Sequence, residues 1–203
     1  SMGVSWRDGK LESLEQAEGA DLGLRAFFGK RQAVVATTDR SEKSLGELVD
    51  RVTAMAKAAP EDPYCGIADP DQIARNFPEI ELADPYDCSP ELLIGRAKEA
   101  EDAALSVEGV TQCEGADAGA SLSQVTLAST NGFAASYQRT SYSISTSALA
   151  GEGTEMERDY DFDSKLFQED LGNAPAIGQK AGERAVARLG SRKMPSCSCP
   201  IIF

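Results

Sequence analysis

The sequence predicts an α+β fold, with antiparallel sheets packed with a few helices. Three observations carry the prediction. The periodic segments come in blocks (strands, helix, helix, strands, helix), not in the strand–helix alternation of a parallel α/β protein. Asn131-Gly132 stands between two alternating runs, which is the strongest short hairpin signal in the chain. Of the 203 residues 41% are hydrophobic and 26% charged, enough apolar material for a core and too little charge for wholesale disorder.

The elements follow in order. Val4 to Glu12 read as a hairpin, and the section from 4 to 40 as β-structure. Gly23–Phe28 is a strand, Phe28-Gly29-Lys30-Arg31 a tight turn, and Gln32–Thr38 the β-branched return strand. A helix follows with Asp39, Ser41 and Ser44 as candidate caps. Its apolar stripe is Leu45, Leu48, Val49, Val52, Met55 and Ala56, and Pro60 ends it. Residues 60–88 are rich in proline and loop-like, with a short helix expected over Asp71–Asn76. Ser89-Pro90-Glu91 is a helix start, and that helix turns Leu92, Leu93, Ala97, Ala100, Ala104 and Leu105 inward before ending near Gly109. Strands are expected over Val110–Ala118, Ser121–Thr130, Phe133–Tyr137, Ser141–Ala150 and Glu155–Phe162. A last helix is expected over 174–189, stopped by Gly190.

Composition excludes several classes of function. The net charge is -13, so a phosphate backbone finds no basic face and nucleic acid is not an expected partner. No run approaches the roughly 18 apolar residues of a membrane span, and no secretory signal is visible. Histidine is absent, which removes Ser-His and Cys-His nucleophile pairs and the H-E-x-x-H zinc helix. Five scattered cysteines, Cys65, Cys88, Cys113, Cys197 and Cys199, fit reduced thiols in a cytoplasmic protein. Ser1-Met2-Gly3 reads as a scar joined to an internal segment, and Cys199–Phe203 as the start of a strand, so the chain is expected to be a fragment.

Few constellations could carry chemistry. Cys197-Ser198-Cys199 lacks C-x-x-C spacing and reads as a bland tail. Gly29-Lys30 and Gly95-Arg96 lack the glycine-rich context of a phosphate loop. Serines and lysines are plentiful, but no spacing joins a Ser-Lys pair. Asp159, Asp161, Asp163 and Asp170 mimic EF-hand ligand positions, yet Ser164 stands where the loop needs glycine. The expected alternative is a strand with Tyr160 and Phe162 inward and the aspartates facing water or a cleft. The hydroxyl-rich run Ser136–Ser147 is either an open sheet edge that takes an extended peptide by strand addition or an ordinary solvated face. No catalytic, cofactor-binding or metal-binding residue is assigned.

Four motifs resemble one family. Ala59-Pro60-Glu61-Asp62-Pro63-Tyr64-Cys65-Gly66-Ile67-Ala68-Asp69 resembles the PmbA/TldE branch of the TldD/PmbA proteins, also called modulators of DNA gyrase. Ser129-Thr130-Asn131-Gly132-Phe133 and Arg158-Asp159-Tyr160-Asp161 resemble its Ser-Asn-Gly-Phe hairpin and Arg-Asp-Tyr strand, and Leu11–Glu18 with Gly23-Leu24-Arg25 its opening hairpin. The resemblance implies a PmbA/TldD N-terminal domain-like fold. Residues 1–198 would form that α+β domain, with sub-halves 4–108 and 109–198, and 199–203 would begin a further domain. It further implies a non-catalytic subunit of a cytoplasmic TldD/E metalloprotease that handles unfolded peptides, including peptide antibiotic precursors and antitoxins. Zinc is then expected only in the TldD-type catalytic partner, on an H-E-x-x-x-H helix. The alternative from another class is a regulatory module that binds gyrase or toxin–antitoxin systems without proteolysis. An independent hydrolase is disfavoured by the missing histidine.

Overall fold

The computed structural model describes residues 1–85 and 88–202. The order is β1 (Met2–Arg7), β2 (Lys10–Gln16), β3 (Leu22–Phe28), β4 (Arg31–Thr37), α1 (Glu42–Ala58), α2 (Pro90–Leu105), β5 (Val110–Ala128), β6 (Ala134–Ala150), β7 (Glu157–Lys165) and α3 (Ala174–Ala187). This is the expected α+β arrangement. The chain divides into two compact units. Unit 1 holds Ser1–Gln16, Glu81–Ser123 and Gln138–Phe203, and unit 2 holds Ala17–Ile80 and Gln124–Tyr137.

Unit 1 is built on a five-stranded sheet in the order β2-β1-β5-β6-β7, with antiparallel partners throughout the described registers. One face carries both helices. Val4, Ala116, Ala118, Tyr142 and Ile144 from the sheet meet Leu93, Ala97 and Ala100 of α2 and Ala174 and Ile177 of α3. A second cluster joins Cys113, Ala148 and Ala150 to Ala104, Ala181 and Ala185. Most helix residues at these contacts are alanines, so the helices lie close to the sheet and to each other. Ser89 caps α2 by accepting from Leu92 N, with Pro90 in the first turn as the sequence indicates. Asn173 does the same for α3 through Ala176 N.

The β1–β2 hairpin turns on Asp8-Gly9, both at positive φ (51° and 69°), which is the type I′ geometry that matches strand twist. The buried carboxylate of Glu101 on α2 holds this turn. Its two oxygens accept from Asp8 N and Gly9 N, each at 2.9 Å, and the residue is 1% exposed.

In unit 2, β3 and β4 form a two-stranded sheet closed by Gly29-Lys30, with Phe28 opposite Arg31. Leu24, Ala26, Ala33 and Val35 pack against Leu48 and Val52 of α1. Ser41 caps the helix, and Arg31 donates to the carbonyl of Lys57 in its last turn. Two strands cover only the centre of the apolar stripe. Val49 and Met55, read as inward, lie on its margins and are exposed.

Three other expectations are corrected. No helix forms over Asp71–Asn76; a turn at 70–72 takes its place, closed by Gln72 N on Asp69 O and by Asp69 N on the Gln72 side chain. Ile73 is the only half-buried residue there, and so short a helix has no face to dock. The four strands expected between 110 and 150 are two long ones, β5 and β6. Residues 199–202, read as opening a strand, have no regular secondary structure, and Phe203 lies outside the described residues.

Candidate functional site

Because side chains alternate along a strand, the face of the unit 1 sheet away from the helices presents the complementary set. Registers align Ser13, Ser5 and Asp117 in one row across β2, β1 and β5, and Glu15, Gly3 and Gly119 in the next. Ser143 of β6 adjoins them. With no side chain at Gly3 or Gly119, these residues line a hollow of about 320 Å³. Ser5 Oγ donates to Asp117 Oδ1 at 2.6 Å. Such a surface accepts and donates hydrogen bonds to a polar or cationic group.

The same face continues over Ser145 and Ser147 to β7, where they sit opposite Phe162 and Tyr160. These rings stack 6.1 Å apart and are 61% and 51% exposed. The expectation that they point inward is therefore reversed. The aspartates face α3 instead. Asp161 lies between Lys180 (3.3 Å) and Arg184 (2.6 Å), Asp159 pairs with Arg188 (3.0 Å), and Asp163 Oδ2 accepts from Gly172 N (2.8 Å). The physical reason is charge matching. Basic residues at 180, 184 and 188 recur every helical turn on α3 and meet carboxylates recurring every second residue on β7. Sequence reasoning could have found this from the two periods read together.

The EF-hand likeness dissolves with it: these carboxylates are committed to α3 and to backbone, and Asp170 stands apart in the 3₁₀ turn Gln168–Asp170. Among the described residues no group of three or more His, Cys, Asp or Glu is arranged to hold a metal ion. The hydroxyl-rich run is divided by alternation. Tyr142, Ile144 and Thr146 face the helices, and Ser143, Ser145 and Ser147 the open side. Over Tyr142–Ala150 the strand lies between β5 and β7, so both of its ladders are filled and strand addition there has no free edge. Lys30, Lys43, Lys165 and Lys180 sit on a carbonyl or a carboxylate, not on a serine.

Two predictions arise from this geometry. Asp161→Asn should cost about 1.5–3 kcal/mol, the range for hydrogen bonds to charged groups, read as a lowered urea midpoint. Acid should weaken the same seam. The N–H of Tyr160, and then Arg188, hold Asp159 below the ordinary carboxylate range. Burial pushes Asp163 up, but bonds from Gly172, Lys165 and Ser164 outweigh it and leave it lowered. A carboxylate depressed in the folded state stabilises it above the unfolded pKa of about 3.9 and stops doing so as pH falls through the folded value. Melting temperature should therefore hold near neutrality and fall below about pH 4.

The thiols differ in reactivity. Burial raises Cys113, whose sulfur lies 3.3 Å from Thr146 Oγ1. Cys65 is buried too, whereas Cys197 and Cys199 are exposed in the tail. A thiol reagent should label Cys197 and Cys199 in the native protein, and Cys65 and Cys113 only after denaturation.

With this geometry in place, the comparisons with known proteins are specific. The chain matches two family models of metallopeptidase type: the PmbA/TldA metallopeptidase central domain over residues 83–189, and PmbA/TldA metallopeptidase domain 1 over residues 1–56. The chain belongs to the PmbA/TldD family. It is 29% identical over 201 residues to Metalloprotease PmbA of Escherichia coli O157:H7, and 27% identical over 203 residues to the PmbA homolog of Haemophilus influenzae. These alignments cover 98% and 100% of the chain but only 45% of each relative. A crystal structure from Bacteroides thetaiotaomicron, of a protein carrying the name modulator of DNA gyrase, superimposes with a TM-score of 0.83 at 26% identity. It covers 95% of this chain and 44% of that one. TldE from Thermococcus kodakarensis shares the fold, with a TM-score of 0.67 at 17% identity over 92% of this chain and 41% of that one. No helix among the described residues is long and apolar enough to cross a membrane.

Proposed function

We propose that this chain is the N-terminal part of a non-catalytic, PmbA/TldE-type subunit of a cytoplasmic metalloprotease, and that residues 1–198 act there as one domain handling unfolded peptide. The observation that carries the reading is the match to Metalloprotease PmbA across 98% of the chain. The open hydroxyl-bearing face of the unit 1 sheet supports it, since Ser5, Ser13 and Ser143 offer hydrogen bonds without demanding a particular side chain.

Zinc does not fit the residues present. The chain has no histidine, and the densest carboxylate row, Asp159, Asp161 and Asp163, is occupied by α3 and backbone donors. The reading therefore assigns the metal and bond cleavage to a TldD-type partner, and takes unfolded peptides such as antibiotic precursors or antitoxins as the substrates.

The test is the solution mass of the full-length parent with its TldD-type partner, against each alone. A stable one-to-one complex is the expected result. Separate species at micromolar concentration would overturn the subunit reading and leave a binding module without proteolysis.

A further inference from the structure

The hollow on the open face of the unit 1 sheet has a ligand chemistry of its own. At about 320 Å³ it is near the lower end for ligand pockets, so it takes one side chain and not a folded partner. Its glycines are the first pointer. Gly3 and Gly119 lie inside β1 and β5, and neither has positive φ, so backbone geometry does not demand glycine at either position. A Cβ at Gly3 would meet nothing within 4 Å, and one at Gly119 would meet Ser143 Oγ at 3.2 Å and Met2 O at 3.5 Å. Glycine inside a strand weakens the sheet and marks a place where a ligand comes close.

Charge is the second pointer. Asp117 and Glu15 are the charged residues of the lining, and both are acidic. Among the described residues neither is in an ion pair, in contrast to Asp159, Asp161 and Asp163 on β7. Ser5 Oγ donates to Asp117 Oδ1 at 2.6 Å, which fixes the carboxylate and leaves Oδ2 for a ligand. Two carboxylates are too few for a metal ion, and no third acidic or thiol ligand joins them among the described residues. An organic cation fits better. Beyond Ser145 and Ser147 the exposed, stacked rings of Tyr160 and Phe162 extend the same face and offer a seat to apolar neighbours in one peptide.

We infer that the hollow receives a lysine or arginine side chain of an extended peptide. Asp117 pairs with its charge, and the exposed Glu15 adds attraction from the rim. Because Ser5 already holds Asp117, little side-chain freedom is lost on binding. The inference rests on the peptide-handling reading and adds a preference to it: a segment with a basic residue is held more tightly than an uncharged one.

Fluorescence anisotropy on the full-length parent, without a TldD-type partner, tests this. The probes are two labelled flexible peptides, blocked at both ends and identical except for one central arginine or glutamine. The arginine peptide should bind about fivefold more tightly at low salt, the upper end for a solvent-exposed ion pair. The difference should shrink as salt rises. Asp117→Asn keeps an acceptor for Ser5 and should remove most of the preference. Ser13→Leu fills the hollow, leaves both carboxylates, and should do the same. Should Ser13→Leu fail to fold, Glu15→Gln replaces it and should remove part. Glu99→Gln, exposed on α2 on the helix side of the sheet, should change nothing. Equal binding of the two peptides by wild type overturns the inference. So does a full preference in Asp117→Asn or in the folded second variant. A preference that Glu99→Gln lowers as much overturns it too, since the net charge of -13 would then be the source. A parent that pairs with its partner but shows no preference loses this inference alone. One that shows the preference but does not pair loses the subunit reading alone.

Discussion

Gly178→Ala should destabilise the chain by about 3 kcal/mol, at the upper end of overpacking costs. The reason is the closeness of α3 to α2. A Cβ built at Gly178 would lie 2.0 Å from the carbonyl oxygen of Ala100 and 3.0 Å from Ala103 Cβ. The first of these is backbone and cannot rotate away, so the helices must separate and lose contacts among Ala97, Ala100, Ala181 and Ala185, all 0% exposed. For a chain of this size 3 kcal/mol is roughly a 6–12 °C fall in melting temperature. Gly95→Ala in α2 supplies the contrast, because nothing lies within 4 Å of its added Cβ. There the helix propensity of alanine alone acts, and stability should rise by about 0.5–1 kcal/mol. Calorimetry on the two variants should show shifts of opposite sign.

Glu101→Ala should cost about as much, for an electrostatic reason. The carboxylate takes both N–H groups of the Asp8-Gly9 turn, and hydrogen bonds to a charged group contribute about 1.5–3 kcal/mol each. Alanine leaves two donors beside a cavity without an acceptor. Glu101→Gln keeps one acceptor but aims an amide donor at the second N–H, so its loss should be near half. Urea titration gives the magnitudes. Amide hydrogen exchange at Asp8 and Gly9 gives the location: both should exchange faster in Glu101→Ala, with α1 in unit 2 unaffected.

Much of the fold is legible where a residue acts locally. Ser41, Ser89 with Pro90, and Asn131-Gly132 each impose a cap or turn through their own backbone and side chain, and each sits where the sequence indicates. The open face and the β7 orientation depend on partners far along the chain. Tyr160 and Phe162 look like core residues by type. A strand with period two must nevertheless turn one set or the other inward, and α3 offers three cations that favour the aspartates. Glu101 shows the same limit. Within α2 it sits beside the inward alanines with nothing local to mark its role, and its partners lie 93 and 92 residues away. The hollow lined by Gly3 and Gly119 arises only when the register of β1 on β5 brings two glycines side by side. The continuity of β5 and β6 was hidden because what bridges the gaps left at 119–120 and 138–140 is supplied by distant partners. In the sheet, Gly119 makes room for Ser143, and Thr140 bonds Leu82 O and Leu166 O.

The central claim is that this chain belongs to the subunit that lacks the cleaving chemistry. The direct measurement is peptide cleavage by the full-length parent alone, by a TldD-type partner alone and by the two mixed, each with zinc and after its removal. The account predicts that the parent alone cleaves nothing and binds no zinc tightly, and that the mixture cleaves unfolded peptide only with zinc present. Zinc-dependent cleavage by the parent alone would contradict it.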